Sequence, residues 1–344
     1  MVESGVESIR QVVPQVLKHL DPLSIESISD AISESIDLQG MRFVAIQAFH
    51  EPSTHEPSTL TATNEGFNAR QETERGIASA YLLEYPGKLA SLVGPSLASN
   101  SRMGGSHPEA ERAILVALVN RARAWGVELV QAVVDDDSPF PPRPLREAGF
   151  SKLSILHQMA VDLPNVVASR DLTRASSRSA LNWRRYAPVD KEVWIDWMDA
   201  TYEQTADCPE LNGLRTTSKT LEGYLASAGT AKVGNPAPEW WGGFEAEPGS
   251  GVSGGRPKIA AAFMLGDSGG RFWELSYMGV APSHRGRRLG NETLYRALTR
   301  AQELNARRLT LAVDCRNTYA MRLYREYGFQ RIRQLEAWFL AFRK

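Results

Sequence analysis

"GVAPSHRGRRLG", residues Gly279–Gly290, sets one histidine and three arginines between glycines, directly after an apolar run. Upstream, "RFWELSYMGVAP" (271–282) is rich in aromatic and β-branched residues and ends at a proline, which predicts a strand running into a loop. Downstream, from Arg287 to Asn305, Leu294, Ala297, Leu298, Ala301 and Leu304 recur at three- and four-residue spacing, which predicts an amphipathic helix. A loop between a strand and a helix aims backbone N–H groups at whatever lies over the helix N-terminus. Those amides and the helix dipole together favour phosphate. Gly286 and Gly290 leave room for close approach to the backbone, and Arg285, Arg287 and Arg288 can add charge-assisted bonds to phosphate oxygens. A solvated turn with spare arginines is the competing reading, and the surrounding chain has to decide between them.

Working outward, "RRLTLAVD" (307–314) alternates apolar and polar residues as a half-buried strand does. Asn317 then opens a short helix, "NTYAMRLYREYG", with Gly328 where a C-cap glycine belongs. The closing segment, "FQRIRQLEAWFLAFRK", reads as a last strand pair. Strand and helix alternate, so the fold class is α/β with a mixed sheet. The same order occurs earlier: a helix over 110–126, a strand over 127–137 and a short helix stop over 143–150. Gly328 minus Gly149 is an offset of 179, and it also pairs Phe329 with Phe150, Glu326 with Glu147, Arg325 with Arg146, Asp314 with Asp135 and Arg300 with Arg121. A gapless shared offset predicts a duplicated unit. The expected division is 1–164, including a helical lead-in over 1–40, then a polar Ser/Arg-rich linker over 165–180, and 181–344.

Composition sets limits. A chain of 344 residues predicts two domains, and 42% hydrophobic with 23% charged residues is ordinary for a globular protein. The net charge of -1 argues against a nucleic-acid partner. Cys208 and Cys315 are the only cysteines, giving neither a disulfide framework nor a zinc spacing. The N-terminus lacks a signal-peptide plan, and no apolar run reaches the ~18 residues of a membrane span. The expectation is a cytoplasmic monomer or homodimer with no membrane partner. "AEPGSGVSGGRPK" (246–258) reads as a Gly/Ser-rich connection between strands. The tandem "HEPSTHEPST" (50–59) brings His50, Glu51, His55 and Glu56 close in sequence, but its prolines prevent helical stacking of the histidines and no third ligand is fixed, so it reads as a loop and not a metal site.

Two motifs now carry a resemblance. Val280-x-Pro282-x-x-Arg285-Gly286-x-x-x-Gly290 resembles the acyl-CoA pyrophosphate loop of the GNAT acetyltransferase superfamily, with its Gln/Arg-x-x-Gly-x-Gly/Ala signature. "NTYAMRLYREYGF" resembles the same family's Asn-x-x-Ala-x-x-Leu-Tyr-x-x-x-Gly-Phe segment, with Asn317, Ala320, Leu323, Tyr324, Gly328 and Phe329 in place. Arg288 stands where the signature prefers glycine. The resemblance implies two tandem GNAT-like domains and acetyl-CoA as co-substrate, held by Met278, Val280, Ala281, Arg285, Gly286, Arg287, Arg288, Leu289, Gly290, Asn291 and Asn317. The first copy has Ser106, His107 and Glu111 at the positions of Arg285, Gly286 and Gly290, and Leu145 at that of Tyr324. With Glu109 and Glu111 where a pyrophosphate would sit, it reads as a degenerate copy. One active half in a tandem arrangement is similar to mycothiol synthase, although no residue points to that substrate.

What the resemblance implies for chemistry is direct attack of a small-molecule or peptide amine on the thioester in a ternary complex. Tyr324 matches the residue that protonates the departing thiolate. Glu274 falls where some members carry a catalytic glutamate, with an ordinary strand glutamate as the alternative. Met278 supplies the backbone amide for the oxyanion. The acceptor site is expected in "YEQTADCPELNGLR" (202–215), with Asp207 and Glu210, and at Trp240–Trp241, where carboxylates beside aromatics would suit a cationic amine. Cys208 is given no role as a nucleophile. A non-catalytic acyl-CoA-binding sensor or scaffold is the competing function.

Overall fold

In the computed structural model the chain divides into two units, Met1–Leu153 with Leu335–Lys344, and Ser154–Gln334. The structure describes residues 2–3, 42–49, 76–97, 108–135, 142–163, 181–227, 238–245 and 257–342. The tandem pentapeptide, most of the Gly/Ser connection, the linker and all of the lead-in but Val2–Glu3, which is a strand and not helical, lie outside these.

The first unit begins with strands Val2–Glu3 (β1), Arg42–Phe49 (β2), Gly76–Tyr85 (β3) and Leu89–Leu97 (β4). Helix Pro108–Ala124 (α1), strand Leu129–Asp135 (β5) and the short helix Arg143–Glu147 (α2) follow. Successive strands pair antiparallel up to β4, which then runs parallel to β5 from Leu89↔Leu129 to Leu92↔Ala132. On α1, Ile114, Leu115, Leu118 and Ala122 recur on one face and bury against Val44, Leu82, Leu92 and Val130. The other edge of β5 is covered by Leu335–Ala341 near the C-terminus, antiparallel from Leu335↔Asp135 to Ala341↔Leu129, and Trp338 enters this core.

The second unit opens on strand Ser151–Asp162 (β6), paired antiparallel with Arg308–Asp314. Strand Leu181–Arg185 (β7), helices Lys191–Tyr202 (α3) and Thr217–Ser227 (α4), and strands Glu239–Glu245 (β8), Ile259–Asp267 (β9) and Phe272–Val280 (β10) come next. Helix Leu289–Glu303 (α5), strand Arg308–Asp314 (β11), helix Thr318–Glu326 (α6) and strand Gln330–Ala341 (β12) complete the chain. The sheet order is β6-β11-β10-β9-β8-β7. Along β9, Ala262 and Met264 pack with Trp194, Trp197, Met198 and Leu221 of α3 and α4, while Phe263 and Leu265 pack with Leu294, Ala297, Leu298 and Ala301 of α5. Period-two alternation thus puts helices on both faces of one sheet.

Among the described residues of the second unit, one strand pairing is parallel, and it is short. β10 and β11 pair at Phe272↔Arg308, Trp273↔Leu309 and Glu274↔Thr310, then part, leaving a fork between them. The repeat seen in the sequence is matched in structure. Each half runs four antiparallel strands, a helix, a strand that pairs parallel with the fourth, a short helix and a last strand. Gly149 and Gly328 hold the same left-handed turn, with φ of 91° and 86°. One expectation is corrected. The closing segment is a single strand, because 330–341 contains no glycine, proline or asparagine to turn it. Each half therefore gives its last strand to the other unit: β6 pairs with β11, and the end of β12 pairs with β5. Among the described residues, no helix is long and apolar enough to cross a membrane.

Candidate functional site

Past β10, Pro282–His284 makes one tight turn, and α5 starts at Leu289. The amides of Gly286, Arg287, Arg288, Leu289 and Gly290 find no acceptor among the described residues. The first engaged amides are those of Asn291 and Glu292, both donating to the Arg288 carbonyl at 3.1 and 3.3 Å. Five consecutive free donors at the N-terminus of a fifteen-residue helix form an anion seat. Gly286 reaches φ 78° with open space where a side chain would be, and Arg288 holds the left-handed φ of 61°. That conformation explains why glycine suits position 288, and why an arginine there keeps its side chain exposed. Buried His284 pins the turn: its Nε2 lies 2.8 Å from Glu245 Oε1 and its Nδ1 is 2.9 Å from Ser283 Oγ.

Arg285 does not reach this seat. Its Nη2 donates to the carbonyls of Thr201 and Glu203 at 3.3 and 3.2 Å, and its Nε to that of Val280 at 3.3 Å. The carbonyls at the C-terminus of α3 lack intrahelical donors, and a guanidinium satisfies them while meeting the helix dipole. Arg287 is exposed, 3.9 Å from Glu245.

The fork edge of β10 follows from register. Ala281 N–H donates to Ala260 O on β9 at 2.8 Å, and its carbonyl accepts from His284, so Ala281 has no backbone group left for a ligand. With period two, the N–H groups of Met278 and Val280 point away from β9, into the fork. A bulge at Ser276 (Leu275↔Leu265, then Tyr277↔Met264) inverts the facing of everything beyond it. Glu274 consequently shares a face with Tyr277 and Gly279 instead of Met278. At Gly279 an added Cβ would lie 2.9 Å from Thr201 Cγ2 and 3.1 Å from Trp197 Cζ2, so α3 presses directly on the strand.

Tyr324 packs its ring on Phe329, with centroids 5.7 Å apart, and its hydroxyl makes no hydrogen bond among the described residues. Burial, with the nearby negative charge of Asp207, pushes its pKa well above the ordinary phenol range, so the proton stays on at neutral pH. Asn317 caps α6, its Oδ1 accepting from Ala320 N at 3.1 Å, while its Nδ2 donates to Asp207 Oδ2 at 3.4 Å.

On the other side of the fork, Glu274 keeps solvent access but makes no hydrogen bond or ion pair among the described residues. The protein crowded around its carboxylate pushes its pKa up. The rings of Tyr202 and Tyr224 lie 6.3 and 5.8 Å from that of Tyr277, whose hydroxyl is 2.7 Å from Thr201 Oγ1. Glu274 and Asp207 both act electrostatically on Tyr224, raising its pKa further than burial alone. The loop carrying Asp207 is clasped to the turn before α6. Asp207 Oδ1 accepts from Asp314 N, and Asp314 Oδ2 from Cys208 N, each at 3.1 Å. Arg316 binds both Asp314 and Glu210. Burial works to raise the pKa of Asp314, but the donors of Arg316, Ser154 and Cys208 outweigh it and hold the pKa at about 2. Crowding raises the pKa of Asp207, more than its bonds to Asp314 N and Asn317 lower it.

Asp207, Cys208 and Asp314 bring ligand atoms within 4.8 Å of one another, yet Arg316 already neutralises Asp314, and burial raises the Cys208 thiol far from thiolate. The donor set suits neither a metal nor a nucleophile. Trp240 and Trp241 are corrected as acceptor residues. Trp240 is buried with Tyr186 and Trp194, and Trp241 points to the opposite face, donating to Glu239 under Arg300. Consecutive strand residues cannot share a face. Glu210 is committed to Arg316. The tyrosine cluster of Tyr202, Tyr224 and Tyr277 was missed, because only the α3–α4 packing gathers it and only the bulge puts Tyr277 on the face of Glu274. In the first unit, Glu109 and Glu111 occupy the first turn of α1 and Leu145 is buried at the counterpart of Tyr324. Ser106 and His107 lie outside the described residues.

Comparison with known proteins completes the description. Residues 235–329 match the family described as Acetyltransferase (GNAT) family. A tandem GNAT protein from the clavulanic acid biosynthesis pathway, solved without AcCoA, has TM-score 0.54 at 11% identity over 99% of this chain and 97% of that one. A GCN5-related glucosamine N-acetyltransferase region in a fungal multi-domain GH3 beta-N-acetylglucosaminidase has TM-score 0.58 at 10% identity, over 98% of this chain and 38% of that one. A Drosophila melanogaster protein has TM-score 0.53 at 12% identity, over 99% and 98%. No curated protein matches the chain. At these identities the likeness is one of fold.

Proposed function

We propose that this chain, whose residues 235–329 match the acetyltransferase (GNAT) family, transfers an acetyl group from acetyl-CoA to a primary amine of a small molecule or peptide. The observation that carries the reading is the row of five free amides, Gly286 to Gly290, at the N-terminus of α5, in the unit whose core also buries Tyr324 with its hydroxyl unbonded among the described residues. An anion seat, an open strand edge and a proton donor in this order fit the three parts of an acyl-CoA: its phosphates, its amide-bearing arm and its thioester sulfur.

Acetyl-CoA, when bound, supplies the activated acyl group. The chain's own residues do the rest. The amides of Gly286–Gly290 hold the pyrophosphate, and exposed Arg287 and Arg288 add positive charge. Val280 pairs with the arm, and the N–H of Met278 meets the negative charge that grows on the carbonyl oxygen. Glu274, its pKa raised towards neutrality, takes the proton that the acceptor ammonium must lose. As the amine nitrogen bonds to the acyl carbon and the carbon–sulfur bond breaks, Tyr324 gives its proton to the sulfur. Asn317 orders the helix that carries Tyr324, leaving its side chain little to offer a ligand directly. The first domain, with its buried Leu145 and acidic α1, serves as scaffold. Two free cysteines fit a cytoplasmic location.

Two measurements test this. Titration calorimetry with acetyl-CoA should give one site per chain, and two sites would restore the first domain as a binding unit. Thiol release over a broad panel of primary amines should be amine-dependent, whereas tight cofactor binding with no release on any amine would make the protein a sensor or scaffold.

A further inference from the structure

We propose that the acceptor is a primary amine carrying a second positive charge and no carboxylate, seated between Glu274 and Asp207 against the rings of Tyr202, Tyr224 and Tyr277. This rests on the acetyltransferase reading and names its substrate class. Proton removal from the attacking nitrogen occupies one carboxylate. The site contains two, and both reach solvent while both act on the same phenol, Tyr224. The Ser276 bulge puts Glu274 and Tyr277 on one face of β10, and the clasp to Asp314 and Asn317 fixes the loop that carries Asp207.

The nearby cations are spent. Arg316 is bonded to Asp314 and Glu210. Arg285 donates to three backbone carbonyls, and Arg215 donates to that of Lys219 at 2.8 Å. None of these guanidiniums pairs with Glu274. Two carboxylates that form no ion pair among the described residues gain from a ligand that brings positive charge, and phenol faces add cation–π attraction. A carboxylate on the acceptor meets the opposite field. Glu274 accepts the proton the amine loses, Tyr324 supplies the one the sulfur gains, and Asp207 holds the remaining ammonium.

The test compares three matched compounds, 1,4-diaminobutane, 1-aminobutane and 4-aminobutanoate. Each is used as a substrate with acetyl-CoA and, separately, as a calorimetric ligand of the full chain saturated with CoA. The diamine should exceed the monoamine by about tenfold or more in kcat/KM and in affinity, as one partly solvated ion pair allows, with 4-aminobutanoate last. Asp207→Asn, which keeps an oxygen to accept from Asp314 N, should reduce the diamine advantage to about one while the Kd for acetyl-CoA stays put. Equal or reversed ranking of diamine and monoamine overturns the proposal, as does a preference for 4-aminobutanoate or an undiminished diamine advantage in Asp207→Asn. If that variant fails to fold, the salt dependence of the wild-type diamine advantage decides: an ion pair's advantage shrinks as salt is added, and an advantage that salt leaves unchanged overturns the proposal. If no compound is acetylated, the acetyltransferase reading falls and the calorimetric ranking alone decides this one.

Discussion

Arg288 and Tyr324 show how much a single position decides. Arg288 is the residue before the first turn of α5, and its φ of 61° costs an L-residue roughly 1 kcal/mol or more. Arg288→Gly should therefore leave the melting temperature unchanged or raise it slightly, while Arg288→Val should lower it by several degrees, since β-branched residues tolerate this region worst. A melting series in the order Gly, Arg, Val checks the argument, and the reverse order would refute it. For Tyr324, exchange to Phe keeps the contact with Phe329 and removes only the proton donor. The turnover number should fall by roughly 10²–10⁴ with little change in the Kd for acetyl-CoA, because the hydroxyl acts in the transition state. Single-turnover kinetics provides the check. A wild-type chemical rate would remove Tyr324 from the mechanism. These two positions were legible in the sequence as types: a residue where glycine is preferred, and a tyrosine at a motif position. Their conformations were not.

At the scale of elements, the turn from β11 into α6 does more than connect them. Asp314 is fully buried and holds the loop after α3 through Cys208 N and Arg316. Its folded pKa of about 2 lies below the ordinary 3.8, so its charge stabilises the fold above pH ~4, and that stabilisation is lost as the pH falls from about 4 towards 2. Asp314→Asn should cost roughly 2 kcal/mol at pH 7, and the gap between variant and wild type should close near pH 2. Denaturant melts at several pH values would show it, and a gap independent of pH would contradict the assignment. The helices themselves were readable from spacing: α5 and α6 fall where the apolar positions recur, and Asn317 caps as its side chain permits. The bulge at Ser276 was not readable. Nothing local in "ELSYMG" favours it over a regular strand, and it exists because β9 and the α3 face fix the register on both sides.

Over the whole molecule, the halves depend on each other for their last strands. Residues 1–164 alone would leave β5 without Leu335–Ala341, and the first core without Trp338. An open central strand edge and a missing buried tryptophan favour aggregation. We expect residues 1–164 to be insoluble when expressed alone and soluble when co-expressed with 165–344. In the intact chain, Trp338→Ala should cost about 3–5 kcal/mol and speed hydrogen exchange in β5 well before β9. A soluble, cooperatively folding 1–164 would show that the exchange is dispensable. The sequence by itself determined the alternation of strand and helix, the duplication, the phosphate-favouring loop and the family motifs, since each rests on spacing within some twenty residues. Only the tertiary structure decided which strands pair, that Trp240 is core, that Arg285 serves α3, and that Glu274 shares a face with Tyr277. Those outcomes depend on register and on contacts between residues far apart in the chain, where one inserted residue inverts a strand's faces and no local pattern records the partner.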